Sequence, residues 1–170
     1  MRIADIQYND ITNGEGIVLS LWLQGCPHKC NGCHNQETWD FEKGREFTHN
    51  DFQHILNYID KGVERDLSIL GGEPLYEKNI EDLLHFLESF KKQYPSKKVY
   101  IWSGYTLEEI FKDDKKSKIL NYIDILIDGK YDSKKKNITL KLRGSENQRI
   151  IDMKSTLKNK KVILFKDLNI

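Results

Sequence analysis

The chain has 170 residues and 27 Lys plus Arg against 26 Asp plus Glu, a net charge of +1. That length is enough for a real core in one domain over 1–170 and too short for eight strand-helix units, which take roughly 250 residues. The balanced charge excludes a global field for nucleic acid or an anionic membrane; with no apolar run of spanning length and no signal-peptide pattern at Met1–Asp5, a cytoplasmic protein with locally recognised partners is expected.

Arg2 to Thr12 alternates weakly through Ile3, Ile6 and Tyr8, which predicts a short edge strand or an arm. After the turn Asn13-Gly14-Glu15-Gly16, Ile17–Leu23 is apolar on both faces, as a strand of a covered parallel sheet is. It runs into Gly25-Cys26-Pro27-His28-Lys29-Cys30-Asn31-Gly32-Cys33-His34-Asn35, which holds all 3 cysteines at the spacing C-x3-C-x2-C. Three cysteines cannot pair off, and on so short a loop their thiolates can converge on one inorganic centre. A fourth position is then left open. His28 or His34 closes it in a Cys3His zinc site, the mark of a zinc-stabilised binding module; in an iron-sulfur cluster the fourth iron can take a substrate. Closed zinc sites usually draw on two separated knuckles, and no second cysteine pair follows here.

From Thr48, Phe52, Ile55, Leu56 and Ile59 fall at helical spacing, with Gly62 placed to end the helix. Leu67–Leu70 predicts a second strand, ending in Gly71-Gly72-Glu73-Pro74. A second helix runs from about Asn79, with Ile80, Leu83, Leu84, Leu87 and Phe90 on one stripe, and stops before Pro95. Val99–Trp102 is a third strand, followed by Ser103-Gly104-Tyr105; Thr106 and Glu109 have the spacing of a capping box, and Ile123–Ile127 is a fourth strand. This alternation predicts parallel strands joined by right-handed crossovers. With too few units to close, the α/β fold is expected to be a partial, open barrel of about five to six mostly parallel strands.

Beyond Asp128-Gly129 the pattern loosens. Lys134-Lys135-Lys136 reads as a solvated turn rather than a binding patch. Ile138–Leu142 and Lys161–Phe165 are candidates for further strands, with Arg143–Arg149 as a polar loop between them. Asp124 and Asp128 face either the site or solvent, and His49, His54 and His85 read as surface or packing residues.

Parallel α/β sheets place their chemistry at the carboxyl ends of their strands. There, Gly71 and Gly72 let backbone approach a ligand closely, their carbonyls can accept from an ammonium group, and Glu73 adds a charge-assisted partner. Ser103 is either in reach of ribose hydroxyls or part of an ordinary turn.

The C-x3-C-x2-C loop resembles the signature of the radical S-adenosylmethionine (SAM) enzymes. The fuller string Leu23-Gln24-Gly25-Cys26 through Gly32-Cys33-His34-Asn35, with Thr38-Trp39, is similar to the family of activating proteins of the anaerobic ribonucleotide reductase. The resemblance runs from Asn13 to Asp152 and is strongest over Gly25 to Trp39. It implies a 4Fe-4S cluster on Cys26, Cys30 and Cys33. It also implies SAM held by Gly32, Cys33, His34, Gly71, Gly72, Glu73 and Ser103, with no catalytic side chain beyond cluster and SAM. Many radical SAM enzymes carry an aromatic residue where this chain has Gly32, which leaves the adenine contact unassigned. The implied activity is reductive cleavage of SAM by an electron from a donor such as flavodoxin, and generation of a glycyl radical on the catalytic subunit of the reductase. Arg143–Asp152 also resembles the family, and its two arginines suit carboxylates or carbonyls of that partner, so Arg149 is expected to grip it. A small radical SAM enzyme acting on a metabolite is the alternative in the same class; the longer covering segments expected there are absent.

Overall fold

Seven strands form one sheet that does not close, in the order β3-β1-β2-β4-β5-β6-β7, in a computed structural model that describes residues 1–166. They are β1 (Arg2–Asp10), β2 (Val18–Leu23), β3 (Arg45–Glu46), β4 (Asp66–Gly71), β5 (Val99–Ser103), β6 (Ile125–Asp128) and β7 (Arg149–Asp152). The helices are α1 (His49–Tyr58), α2 (Ile80–Gln93), α3 (Leu107–Phe111), α4 (Asp114–Ile119) and α5 (Met153–Asn159). β2, β4, β5 and β6 are parallel neighbours, as the strand-helix alternation predicts. β1 and β7 flank them antiparallel, and β3 covers the outer edge of β1.

The sheet is therefore open as expected, with seven strands rather than five to six, because antiparallel strands extend both sides of the parallel core. The opening segment is a full strand one place in from the edge, with Ile3 wholly buried. Ile138–Leu142 forms no strand: Asn137 Oδ1 accepts from the amide and hydroxyl of Thr139, Leu142 has φ +59°, and Ile138 is 86% exposed. Lys161–Phe165 contributes a single bridge, Leu164 to Ile151. The strand instead comes from Arg149–Asp152, at the end of what reads in sequence as a polar loop. No α-helix separates it from β6, so it returns antiparallel.

Alternation along each strand separates two faces. Leu19, Leu21, Leu67, Ile69, Ile101 and Leu126 point toward the helices and share a core with Ile55, Leu83, Phe86, Leu87, Phe90 and Ile110. Full burial of one such side chain stabilises by about 1.5–3 kcal/mol. On the other face Val18, Tyr100, Ile125, Ile127 and Ile150 make a smaller cluster with Trp102 and Leu142. The helices thus cover one face, and the segment after β6 covers the other.

The caps are local. Thr106 and Glu109 form the expected capping box at α3, and Thr48 and Asp51 form another at α1, whose last turn ends at Ile59, ahead of Gly62. No helix of the described residues is long and apolar enough to cross a membrane.

Two acids left open by the sequence are structural. Asp124 is buried and accepts from Lys91 Nζ (2.6 Å), Lys154 Nζ (2.8 Å) and the Val99 amide (2.8 Å). Asp128 pairs across the sheet with Arg149, whose guanidinium bonds both of its carboxylate oxygens and chelates Glu108 at 3.0 and 2.7 Å. The amide of Leu107, the first residue of α3, also donates to Asp128 at 2.7 Å. Arg149, expected from the sequence to grip a partner, ties β6, β7 and α3 together.

Candidate metal centre

The cysteine loop grows out of the carboxyl end of β2 and is pinned at its base. The Gly25 amide donates to the Thr38 carbonyl at 2.7 Å and the Cys26 amide to the Trp39 carbonyl at 3.2 Å. Buried Gln24 adds two bonds, from Nε2 to the carbonyls of Glu37 (3.0 Å) and Asp40 (2.8 Å). Within the loop Lys29 and Gly32 take left-handed φ values of +47° and +76°, and the Cys33 amide donates to the Cys30 carbonyl at 3.0 Å. These bends bring Cys26, Cys30 and Cys33, all free and half-buried, to the wall of one cavity of about 500 Å³.

The same cavity is lined by His34, Gly71, Gly72, Glu73 and Ser103. Of the residues that the resemblance assigns to cluster and SAM, Gly32 alone is not on that wall; it sits at the tip of the loop, close to Tyr131 and Ser133. The geometry of the Gly-Gly-Glu turn is backbone against backbone. The Gly72 amide donates to the Leu23 carbonyl and the Glu73 amide to the Gly25 carbonyl, each at 2.8 Å, and a Cβ on Gly72 would lie 2.3 Å from the Gly25 oxygen. Gly72 is thus required by the packing of this turn on the cysteine loop.

Glu73 is 1% exposed and fully engaged. Its Oε2 accepts from His28 Nε2 and the Gly104 amide, both at 2.7 Å, and its Oε1 from Ser103 Oγ at 2.8 Å and the Leu75 amide at 2.9 Å. Four donors use the acceptor capacity of a carboxylate. Ser103, weighed in sequence as a ribose contact, here donates to Glu73. His28 packs edge-on against Tyr105 with ring centroids 4.6 Å apart, and a Cβ on Gly104 would lie 2.3 Å from its ring. The pair latches the cysteine loop to the ends of β4 and β5. No spacing rule links positions 28 and 73, so sequence reasoning found each residue and missed their contact.

Burial, with a contribution from the Glu73 carboxylate, pushes the Cys26 thiol up to about 11, and burial also raises Cys30. Both are thiols at neutral pH until a cationic centre draws off the protons, as a coordinated metal does. His28 Nε2 is already bonded to Glu73, which takes that nitrogen away from a Cys3His zinc site. Three free thiols on the wall of one cavity are the donor set of an iron-sulfur cluster bound through three of its irons. The indole N–H groups of Trp22 and Trp39 are buried without an acceptor, and both tryptophans line the same cavity. Buried donors left unpaired in this way mark where a bound group would supply acceptors.

The family model of the 4Fe-4S single cluster domain matches residues 12–151. The anaerobic ribonucleoside-triphosphate reductase-activating protein of Enterobacteria phage T4 is 39% identical over 143 residues, covering 83% of this chain and 87% of the relative. Its counterpart from Pasteurella multocida is 41% identical over 147 residues, 84% of this chain and 93% of the relative. That of Escherichia coli K12 is 35% identical over 141 residues, 82% and 90%.

Proposed function

This chain belongs to the family of anaerobic ribonucleoside-triphosphate reductase-activating proteins, with its 4Fe-4S single cluster domain, and on that premise we propose that it is a radical SAM oxidoreductase that generates a glycyl radical on the reductase. The observation that carries this reading is the convergence of three free thiols, on one short loop, with a Gly-Gly turn in a single cavity. Cys26, Cys30 and Cys33 would hold three irons of a 4Fe-4S cluster and leave the fourth open. The bound group would supply one-electron reduction of SAM, with the electron coming from a donor such as flavodoxin, and so the radical chemistry that forms a glycyl radical on the catalytic subunit.

The chain's own residues supply position. Gly71 and Gly72 present backbone to the cofactor beside Cys33 and His34, and Gly32 gives the loop its left-handed bend. Glu73 acts chiefly through Ser103, Gly104 and His28, which it holds in place. The open sheet is read as a partial barrel whose mouth admits a loop of a protein substrate. A reducing cytoplasm keeps the thiols available.

Anaerobic reconstitution with iron and sulfide, reduction, and addition of SAM with and without the catalytic subunit test the reading. The expected result is a brown four-iron protein that yields 5′-deoxyadenosine and a glycyl radical signal in electron paramagnetic resonance, and that loses the cluster when any of the three cysteines is replaced by Ala. Colourless protein holding one zinc overturns it. SAM cleavage that never produces a radical on the subunit would favour a metabolite as substrate.

A further inference from the structure

The segment that follows β6 concentrates charge in a nearly neutral chain. Residues 130–144 hold Lys130, Lys134, Lys135, Lys136, Lys141 and Arg143 against one acid, Asp132, whereas the whole chain has a net charge of +1. The Asp132 carboxylate is turned inward on its own backbone, accepting from the Lys134 amide at 2.9 Å. Lys130, Lys134, Lys135 and Lys136 are exposed, and none takes part in an ion pair among the described residues.

This segment is also the outer wall of the cysteine cavity, through Tyr131, Lys136, Ile138, Leu140 and Arg143. It is held in shape: Trp102 Nε1 donates to the Leu142 carbonyl at 2.7 Å, Arg143 Nη1 to the Gln148 carbonyl at 2.6 Å, and Lys136 bridges Ser145. From this fastened lip projects Ile138, 86% exposed. A large aliphatic side chain presented to water beside unpaired lysines, on the face that the helices leave open, has no role in the packing of this chain.

We propose that residues 130–144 form a docking lip for an acidic protein surface that flanks an apolar socket. Resting on the functional reading above, that surface belongs to the catalytic subunit of the reductase. The lysines steer the encounter and Ile138 fills the socket, which sets the partner's reactive loop over the mouth of the cavity. An aliphatic anchor favours a protein over a nucleic acid, whose bases are gripped by stacking on aromatic rings.

The test compares the cluster-loaded wild type with two variants, Lys134→Glu/Lys135→Glu and Ile138→Asp, for association with the catalytic subunit at low and high salt. Charge reversal should slow association about tenfold or more at low salt, and the difference should shrink at high salt, as for charges at an interface rim. Ile138→Asp should weaken affinity about tenfold, mainly through faster dissociation. The lysine variant should cleave SAM without the subunit at the wild-type rate. Variants that bind the subunit as the wild type does overturn the lip. So does a lysine variant that loses SAM cleavage, which would assign the segment to the cofactor pocket, or a wild type that binds single-stranded DNA as tightly as the subunit. A wild type that cleaves SAM but neither binds nor activates the subunit overturns the functional reading itself, and with it the partner named here.

Discussion

Replacing Arg149 by Ala tests whether the Asp128–Arg149–Glu108 network holds the fold together or serves a partner. Removal of the guanidinium leaves the Asp128 carboxylate, with a side chain 1% exposed, bonded among the described residues only to the Leu107 amide. Truncating one partner of a buried ion pair typically costs about 3–5 kcal/mol, because the other charge stays buried and unpaired. Arg149 is itself 32% exposed, so water can reach the vacated space and the low end applies, about 3 kcal/mol. For a chain of this size that corresponds to a fall in Tm of roughly 6–12 °C. The assay is thermal unfolding by circular dichroism on protein of matched iron content. Arg149→Met combined with Asp128→Asn should recover part of the loss, since no bare carboxylate is then buried.

The network also has a pH signature. Arg149 holds the Glu108 carboxyl down to about 2. A carboxyl with a lower folded than unfolded pKa stabilises the fold above its ordinary range, and that contribution is lost as pH falls from about 5 toward 2. Arg149→Ala lacks it, so the gap between wild type and variant should narrow in acid. A variant that melts with the wild type yet no longer associates with the reductase subunit would refute the structural assignment and return Arg149 to the interface.

His28→Ala should release the cysteine loop from Glu73 and speed loss of iron to a chelator several-fold, while His28→Gln, which keeps a donor, should restore most of the retention; equal iron loss in all three proteins would rule out the latch. Gly72→Ala places a Cβ 2.3 Å from the Gly25 oxygen and should cost about 1–3 kcal/mol by overpacking, read as a lowered Tm; an unchanged Tm contradicts the close approach of the two turns. In metal-free protein, alkylation of Cys26 should be slow at neutral pH and rise about tenfold per pH unit toward 11, followed by peptide mass spectrometry. A plateau near the ordinary thiol pKa of about 8.5 would mean that the burial of Cys26 does not govern its ionisation.

What short-range pattern encodes was legible in the sequence. The spacing of Cys26, Cys30 and Cys33, the Thr106–Glu109 capping box and the apolar runs of β2, β4, β5 and β6 each lie within one element or loop, so backbone geometry alone relates their members. The parallel order followed because each strand is separated from the next by helical segments. What joins distant segments was decided by the tertiary structure. His28 meets Glu73 only because β2 and β4 are neighbours and end at the same level, and Arg149 meets Asp128 only because β7 returns antiparallel in that register. Lys134–Lys136 reads as a solvated turn in one dimension, and all three are exposed in the structure, but only strand order decides that Lys136 stands on the wall of the cysteine cavity. Periodicity reports which face of an element is buried, whereas the partner across a contact depends on strand order and register, which residues far apart in the chain set together.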